Sequence, residues 1–380
     1  MPLSDFEREF YARHITLPGF GEIAQNKLRE SSVLVVGAGG LGCPALQYLS
    51  LAGVGTIGII DGDVVELNNL HRQVLYSITD LNKPKSIAAA HKIKQLNTNI
   101  TVKNYPFALE PSNTIGLFEK YDVIIDATDN FSARYLINDG AFFCNKPVVF
   151  ATVHRFEGQI SVFNYDMGEA GRSPNYRDLF PHPPKDEVIP SCAEAGVLGM
   201  VPGYYGMLQA VETIKILTGV GKPLANVVVM RDLLSNSEKQ ITLREHPDNP
   251  LRGNPPKIKE LIEHNYDCDV KVPSVPSLSP EEAHMMKQLT QTTVVDIREK
   301  TEIENDTIGG EWHPQSGGID WWKDIPEENN IIVYCASGRR SSFVVRDILD
   351  VSPNRKVFNM SGGIDAWRGI FGDKNLPVKA

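Results

Sequence analysis

The segment of residues 33–42 reads Val33-Leu34-Val35-Val36-Gly37-Ala38-Gly39-Gly40-Leu41-Gly42 and indicates the architecture of the N-terminal part of this chain. Its apolar start predicts a short buried strand, which runs directly into a turn where Gly37, Gly39 and Gly42 have G-x-G-x-x-G spacing. The first glycine permits the tight turn, the second lets the backbone approach a phosphate, and the third allows close packing of the next helix. The segment therefore predicts a nucleotide-binding site, and later residues decide which chemistry it serves.

Apolar strands alternate with helix-like stretches after this turn, which is typical of a doubly wound parallel sheet. The predicted strands and helices are Val33–Val36, Pro44–Ala52, Thr56–Ile60, Lys85–Leu96, Thr101–Tyr105, Val123–Asp126 and Val148–Ala151. Later segments predict antiparallel strands at Gln159–Asn164, Val227–Met230 and Gln240–Leu243, with a helix around Gly206–Leu217. We therefore expect an α/β fold in which a Rossmann-like doubly wound sheet is extended by antiparallel strands.

Proline becomes frequent between His246 and Pro280, where the alternation stops. This composition predicts a linker, with one helix near Ile258–Asn265. A second, smaller α/β unit with strands at Thr293–Ile297 and Ile331–Tyr334 follows. A chain of 380 residues is long enough for two domains. We predict a first domain at residues 1–245, a linker at 246–277 and a second domain at 278–380.

Charge and cysteine content exclude several classes of protein. The net charge of −9 argues against a nucleic-acid partner. We also expect no membrane partner, because there is neither a bilayer-spanning apolar run nor a signal sequence. The five cysteines are scattered and odd in number, so we expect no disulfide framework and a cytoplasmic location.

Charged residues after the glycine turn distinguish two kinds of nucleotide chemistry. Asp61 ends the second strand, where a carboxylate can hold ribose hydroxyls. Arg72, Lys85 and Asp129 follow. Of these residues, a dehydrogenase needs only the ribose carboxylate, Asp61. Cleavage of ATP also needs cations and a metal ligand, because charge builds on the phosphates in the transition state. The pattern favours an adenylating enzyme over a reductase that binds NAD.

Residues 5–245 resemble the MoeB/ThiF group of ubiquitin-activating-like adenylyltransferases. The matching segments are Tyr11–Ile15, Gly39–Gly42, Asn68–Gln73, Lys83–Lys85, Asp126–Asn130 and Pro190–Val197. The resemblance implies adenylation of the C-terminal glycine of a ubiquitin-like sulfur carrier protein that ends in Gly-Gly, with ATP and Mg²⁺. It also implies a homodimer, in which Arg13 reaches the site of the partner subunit as an arginine finger.

The same resemblance assigns roles to individual residues. Gly40 lies against the phosphates and Asp61 holds the ribose. The remaining implied nucleotide-binding residues are Asn68, Asn69, Arg72, Lys85, Asp129 and Asn130, with Asp129 as the magnesium ligand. Taken singly, Arg13 can also be a surface arginine, and an aspartate in the position of Asp129 is often a helix cap.

One cysteine of the first domain is a candidate catalytic residue. Cys192 precedes a glycine-rich helix start, where thiols ionise more readily. By resemblance it forms a thioester or acyl disulfide with the carrier; the alternative is a small buried residue.

The family usually binds a structural zinc through two C-x-x-C pairs, whereas the corresponding places here read Asn175-Tyr176-Arg177-Asp178 and Asn249-Pro250-Leu251-Arg252. We expect no structural zinc, because such a site needs four ligands of this kind. An ion pair between Arg177 and Asp178, or between Asp178 and Arg252, is the expected replacement.

A second motif, Tyr334-Cys335-Ala336-Ser337-Gly338-Arg339-Arg340-Ser341-Ser342, predicts a strand that delivers a cysteine into a small loop before a helix. Backbone N–H groups of such a loop converge on the sulfur, with Arg340 beside it, and stabilise a thiolate or persulfide. The motif resembles the rhodanese domain, as do Val295–Glu299 and Ser361–Trp367. Cysteine phosphatases have one more residue between cysteine and arginine, and inert rhodanese-like modules commonly lack the cysteine.

Together the two units predict one reaction sequence. The first unit forms an acyl-adenylate, the persulfide of Cys335 attacks it, and Cys192 resolves the adduct to a thiocarboxylate. The resemblance implies thiosulfate or the persulfide of a cysteine desulfurase as the sulfur donor. Two alternatives stay open: a scaffold that docks carriers without activating them, and a nucleotide-dependent reductase fused to a sulfurtransferase.

Overall fold

The computed structural model describes residues 2–183, 196–253, 255–261, 275–289, 291–303 and 307–372. Cys192 lies outside these ranges, as do residues 262–265 of the predicted linker helix, while residues 258–261 are not helical. The described residues form two compact units, one up to residue 261 and one from residue 275. Among them, no helix is long and apolar enough to cross a membrane.

The first unit is built on one large sheet with helices on both faces. Its strands are β1 Ser32–Val36, β2 Thr56–Ile60, β3 Thr101–Tyr105, β4 Val123–Asp126, β5 Val148–His154, β6 Glu157–Phe163, β7 Val227–Asp232 and β8 Glu238–Thr242. Its helices are α1 Asp5–Phe10, α2 Ala12–Ile15, α3 Gly21–Glu30, α4 Gly42–Ala52, α5 Lys85–Leu96, α6 Pro111–Phe118, α7 Phe131–Phe143, α8 Tyr176–Leu179 and α9 Met200–Thr218.

The strand order β3-β2-β1-β4-β5-β6-β7-β8 confirms the predicted architecture. The first five strands of this order, β3-β2-β1-β4-β5, pair in parallel. From β5 onward, β5, β6, β7 and β8 pair antiparallel. The helix predicted around Gly206–Leu217 begins earlier, at Met200. Its first turn contains Pro202, which a helix tolerates there because the first N–H groups have no partner within the helix.

Both faces of the central strands are buried. In β1, Val33 and Val35 pack into one apolar layer, and Leu34 and Val36 pack into the other. Successive side chains of a strand point to opposite faces, so a continuous apolar run is needed where helices cover both sides of the sheet. The glycine turn after β1 therefore follows a strand that is packed on both faces.

The second unit has a parallel five-stranded sheet in the order β11-β10-β12-β13-β9, as predicted for a small α/β unit. Its elements are β9 Ser277–Leu278, α10 Pro280–Lys287, β10 Thr292–Asp296, β11 Glu311–Trp312, β12 Asn330–Tyr334, α11 Arg339–Val351, β13 Val357–Met360 and α12 Gly363–Phe371. Strand β9 starts at Ser277, inside the stretch predicted as linker.

The segment that follows β8 is bound to the first unit through Asp178 of α8. The carboxylate of Asp178 accepts hydrogen bonds from the backbone N–H of His246 at 2.9 Å, from Asn249 Nδ2 at 2.7 Å and from Arg252 Nη2 at 3.2 Å. Asn249 Nδ2 also lies 3.1 Å from Asn175 Oδ1. Asn175, Asp178, Asn249 and Arg252 occupy the four places of the zinc clamp in the resembling family. A zinc ion does not fit them, because their side chains bond to one another and include no thiolate or imidazole.

Of the two ion pairs predicted in place of the clamp, the structure contains the one between Asp178 and Arg252. Arg177, the partner of Asp178 in the alternative pair, binds the buried Asp139 instead, at 2.7 Å. Arg177 also stacks over the ring of Tyr135 at 4.6 Å. A buried guanidinium is bound most strongly by a two-oxygen contact with one carboxylate, and Asp139 provides that contact.

Candidate functional site

The carboxyl ends of β1, β2 and β4 lie side by side at one edge of the large sheet. Val36 of β1 pairs with Ile60 of β2 and with Asp126 of β4. The glycine turn, Asp61 and the segment after Asp126 therefore meet at the edge where doubly wound sheets bind ligands. Ala38 of the turn donates its backbone N–H to Asp61 Oδ2 at 2.7 Å. Burial raises the pKa of Asp61, although this N–H group opposes the shift.

The three glycines of the turn have different surroundings. Gly37 has φ +94°, and a Cβ there would lie 2.7 Å from the carbonyl oxygen of Ala127. A Cβ on Gly42 would lie 2.0 Å from the carbonyl oxygen of Gly37. Near Gly39 the nearest atom is Nε2 of Gln73, at 3.7 Å. The first and third glycines are thus needed for the fold, whereas the second leaves room in front of the backbone.

The N-terminal half of α9 packs on the turn and on the segment that contains Arg72. A Cβ on Gly40 would lie 3.1 Å from Pro202 Cβ of α9. A Cβ on Gly199, which caps α9, would lie 2.4 Å from the carbonyl oxygen of His71. Helix α9 therefore holds the turn and the His71–Arg72 segment together.

Lys85 starts α5, and its buried side chain is directed at a carboxylate. Its Nζ lies 2.8 Å from Asp63 Oδ2, and the Asp63 side chain is 76% exposed. The hydroxyl of Tyr76 lies 2.8 Å from the carbonyl oxygen of Ala38 and 3.2 Å from that of Lys85. Tyr76 thus joins the glycine turn to the start of α5. Sequence reasoning missed Tyr76, because a single tyrosine in an irregular segment matches no motif.

Asn68, Asn69 and Arg72 form one local cluster. Arg72 Nη2 donates to Asn69 Oδ1 at 2.7 Å, and Nη1 donates to the backbone carbonyl of Asn68 at 3.0 Å. Asn69 is buried, and its Nδ2 donates to Glu66 Oε2 at 3.2 Å. Asn69 therefore orients the guanidinium, while Asn68 contributes through its main chain.

Asp129 and Asn130 follow β4 and have separate roles in the structure. Asn130 caps α7, because its Oδ1 accepts the backbone N–H of Ala133 at 2.8 Å. The carboxylate of Asp129 is exposed, and no hydrogen bond or ion pair joins it to another described residue. Its neighbour Asp126 is buried, which raises the pKa of Asp126 although Arg134 opposes the shift. The helix cap considered for Asp129 is thus provided by Asn130, and Asp129 is free to bind a cation.

Arg13 lies at the other edge of the sheet. Tyr11 packs against Gly53, where a Cβ would lie 2.5 Å from the tyrosine ring, and its hydroxyl accepts a hydrogen bond from Asn97 at 2.7 Å. Gly53 follows the C-terminus of α4, whose N-terminus is at the glycine turn, and the 11 residues of this helix span about 16 Å. The exposed Arg13 is two residues from Tyr11, so the structure does not bring it to Asp61 of its own chain.

Cys335 of the second unit follows β12 and is fully buried in a short loop before α11. Its carbonyl accepts the backbone N–H of Ile364 at 3.0 Å, and the carbonyl of Ala336 accepts that of Asp365 at 3.0 Å. Gly338 has φ +80°, which a residue with a side chain rarely adopts. The loop is thus closed by backbone contacts with α12, and its sulfur is held in one place.

Arg340 lies beside Cys335, but its main partner is the carboxylate of Glu302. Its Nη1 lies 2.8 Å from Glu302 Oε2, and its Nη2 contacts Oε1 of the same carboxylate. These bonds lower the pKa of Glu302 and raise that of Arg340, with a smaller contribution from the Cys335 sulfur to the latter. Sequence reasoning missed Glu302, because it lies 38 residues before Arg340 and only the fold brings the two together.

Comparisons with known proteins cover both units. A model of the ThiF family matches residues 11–251, and a model of the rhodanese-like domain matches residues 279–369. The sulfur carrier protein adenylyltransferase of Thermus thermophilus is 43% identical over 265 residues, which are 70% of this chain and 98% of that protein. The probable adenylyltransferase/sulfurtransferase MoeZ of Mycobacterium tuberculosis is 37% identical over 379 residues, which are 96% of this chain and 95% of that protein.

Solved structures resemble part of this chain in their fold. The crystal structure of MccB from E. coli superposes with a TM-score of 0.58, over 70% of this chain and 76% of that one, at 20% identity. At this identity the likeness concerns the fold alone.

Proposed function

This chain belongs to the ThiF family and carries a rhodanese-like domain after it, and on that premise we propose that it activates a ubiquitin-like sulfur carrier protein and then transfers sulfur to it. It is an adenylyltransferase with sulfurtransferase activity, in line with the names of its relatives. The observation that carries the proposal is that the glycine turn, Asp61 and the exposed Asp129 follow three adjacent parallel strands, while Cys335 occupies a loop of its own.

In the first half-reaction, the carboxylate of the carrier's terminal glycine attacks the α-phosphate of ATP and pyrophosphate leaves. Asp61 holds the ribose, and the backbone of Gly39, which has room in front of it, accommodates the phosphates together with the adjacent Gly40. Lys85 and Arg72 stabilise the negative charge that develops there. Both cations are held in position by neighbouring oxygens, of Asp63 and Asn69 respectively, so they are oriented before ATP binds.

Asp129 is the proposed ligand of Mg²⁺. The exposed carboxylate fits this ion, which prefers oxygen ligands and usually binds through one or two carboxylates together with substrate phosphates. When bound, the ion neutralises part of the phosphate charge. Asn130 supports Asp129 from the adjacent position by capping α7.

In the second half-reaction, the persulfide of Cys335 attacks the carbonyl carbon of the acyl-adenylate and AMP leaves, which gives an acyl disulfide. The thiolate of Cys192 then attacks the Cys335 sulfur, and the thiocarboxylate leaves with the electron pair of the sulfur–sulfur bond. A disulfide between Cys192 and Cys335 results, and an external thiol reduces it. The donor that loads Cys335 is thiosulfate or a desulfurase persulfide.

The proposed active form is a homodimer in which Arg13 completes the site of the partner subunit. Arg13 and Asp61 lie at opposite edges of the same sheet, separated by about the length of α4, which is about 16 Å. An arginine side chain cannot cover this distance within one subunit. Its contribution to adenylation therefore requires a second copy of the chain.

Mass spectrometry of an intact carrier tests the proposal. The full chain is incubated with ATP, Mg²⁺, thiosulfate and a carrier that ends in Gly-Gly. We expect the wild type to exchange one carrier oxygen for sulfur. Cys335→Ala leaves the carrier as its adenylate, whereas Lys85→Ala leaves it unmodified but still transfers sulfur from thiosulfate to cyanide. Cys144→Ala and Lys120→Ala are the matched controls and behave as the wild type.

Three outcomes contradict the proposal. A wild-type chain that only adds AMP would exclude the sulfur half-reaction. A wild-type chain that leaves several carriers unmodified, and does not exchange pyrophosphate with ATP, would favour the docking scaffold instead. Binding of NAD in preference to ATP would favour the reductase.

A further inference from the structure

A buried serine in the second unit contacts the sulfur of Cys335. The Oγ of Ser341, in the first turn of α11, lies 3.5 Å from Cys335 Sγ. The same Oγ lies 2.6 Å from Oδ1 of Asn359, on the neighbouring strand β13. Ser341 and Cys335 are fully buried and Asn359 is 2% exposed, so water does not compete for these contacts.

The other polar side chains near the sulfur have partners of their own. The hydroxyl of Ser342, which is equally buried, donates to the backbone carbonyl of Arg339 at 2.6 Å within the helix. The guanidinium of Arg340 is shared with the carboxylate of Glu302. Of the two serines Ser341 and Ser342, Ser341 is therefore the one whose hydroxyl contacts the sulfur.

We propose that Ser341 is a catalytic hydrogen-bond donor to the Cys335 sulfur and that Asn359 is the positioning residue that holds it. The inference rests on the proposed function of Cys335 as a sulfur carrier. Ser341 Oγ lies within donating distance of both Cys335 Sγ and Asn359 Oδ1, and its single hydrogen serves one of these acceptors at a time. A hydroxyl hydrogen rotates to suit its surroundings, so it turns to the sulfur when Cys335 carries a negative charge.

The step that benefits is the one in which Cys335 becomes a thiolate. When a nucleophile such as cyanide takes the outer sulfur of the persulfide, a carbon–sulfur bond forms and the sulfur–sulfur bond breaks. The electron pair of the broken bond stays on Cys335 Sγ, and the products are thiocyanate and the thiolate. In the persulfide the negative charge lies on the outer sulfur, and it reaches Sγ only when the sulfur–sulfur bond breaks. A hydrogen bond to a charged atom is stronger than one to a neutral atom, so Ser341 bound to Sγ stabilises the thiolate product more than the persulfide.

Two measurements on the full chain test the proposal. The first is the rate at which iodoacetamide alkylates Cys335, followed by peptide mass from pH 5 to pH 10. The second is steady-state sulfur transfer from thiosulfate to cyanide. We expect Ser341→Ala to move the alkylation profile to higher pH and to lower kcat about tenfold, while Ser341→Thr restores both. Ser342→Ala, the matched control, leaves both unchanged.

A double-mutant cycle tests the role of Asn359. If Asn359 acts through Ser341, Asn359→Ala slows alkylation in the wild-type background and has no further effect in the Ser341→Ala background. Additive effects would overturn the positioning role. An alkylation profile of Ser341→Ala that superimposes on that of the wild type would overturn the catalytic role. Alkylation of Cys335 does not depend on sulfur transfer. A wild type that fails to use thiosulfate would therefore contradict the proposed function, while the alkylation profile of Ser341→Ala would still test the role of Ser341.

Discussion

Asp178 of α8 and Arg252 of the segment after β8 are joined by an ion pair of 3.2 Å across 74 residues of sequence. The Asp178 side chain is fully buried and also accepts hydrogen bonds from His246, Asn249 and its own helix cap Asn175. In the family that the chain belongs to, these places usually hold a metal. Here a carboxylate surrounded by donors connects the same two segments.

Removal of the Asp178 carboxylate should destabilise the first unit without any dependence on metal. We expect Asp178→Ala to lower its free energy of unfolding by about 3 kcal/mol, because the buried donors around it lose their acceptor. Urea unfolding followed by far-UV circular dichroism measures this. Asp248→Ala, an exposed aspartate of the same segment, is the control. A chelator should leave the melting temperature unchanged, and one zinc per chain in metal analysis would contradict the interpretation.

Two glycines of the turn should separate folding from nucleotide binding. Gly42→Ala places a Cβ 2.0 Å from a backbone oxygen, and we expect it to destabilise the first unit by about 2 kcal/mol. Gly39→Ala adds only an ordinary van der Waals contact, at 3.7 Å from Gln73 Nε2, so it should preserve stability but raise the KM for ATP in pyrophosphate exchange.

Tryptophan fluorescence provides the internal control for this pair. All four tryptophans lie in the second unit, so their unfolding transition should be the same in both variants. A Gly42→Ala chain as stable as the wild type would show that the close packing of α4 is dispensable.

Asp80 should contribute stability that disappears in acid. Burial alone would raise its pKa, but hydrogen bonds from Ser77, Lys83 and Lys92 outweigh burial and hold the pKa well below the usual range. A carboxyl with a lowered pKa in the folded state stabilises the fold above its unfolded pKa, and this contribution is lost as the pH falls below about 4. Thermal melts of wild type and Asp80→Asn should therefore differ at pH 7 and converge as the pH falls from 4 toward 2. A difference that stays constant over this range would exclude the ionised Asp80 as its cause.

Arg13 and Asp129 should complement each other between subunits. We expect Arg13→Ala and Asp129→Ala each to abolish pyrophosphate exchange as pure proteins. A mixture of the two should regain activity, because one site of the mixed dimer combines an intact Asp129 with an intact Arg13 from the partner. Arg8→Ala, which removes an exposed arginine paired with Glu22, is the control for the N-terminal helices. If the mixture stays inactive while mixed dimers form, Arg13 does not act across the interface.

Features that depend on neighbouring residues could be predicted from the amino-acid sequence alone. Apolar runs such as Val33–Val36 form buried strands, and Gly37 and Gly338 permit turns with positive φ, because backbone conformation and strand periodicity are local properties. The doubly wound sheet, its antiparallel extension and the cysteine loop of the second unit could therefore be predicted. The order of motifs indicated the family for the same reason.

Contacts between side chains that are far apart in sequence depend on how the elements pack in three dimensions. The carboxylate that pairs with Arg340 is 38 residues away, and the one that pairs with Arg252 is 74 residues away. Several carboxylates of suitable charge lie between them in sequence, and burial together with strand order selects one. The same reason applies to Arg13, whose motif predicts a role in the site but whose position at the opposite sheet edge depends on the packing of Tyr11 against Gly53. Local sequence specifies the elements, and the free energy of packing them together specifies the partners.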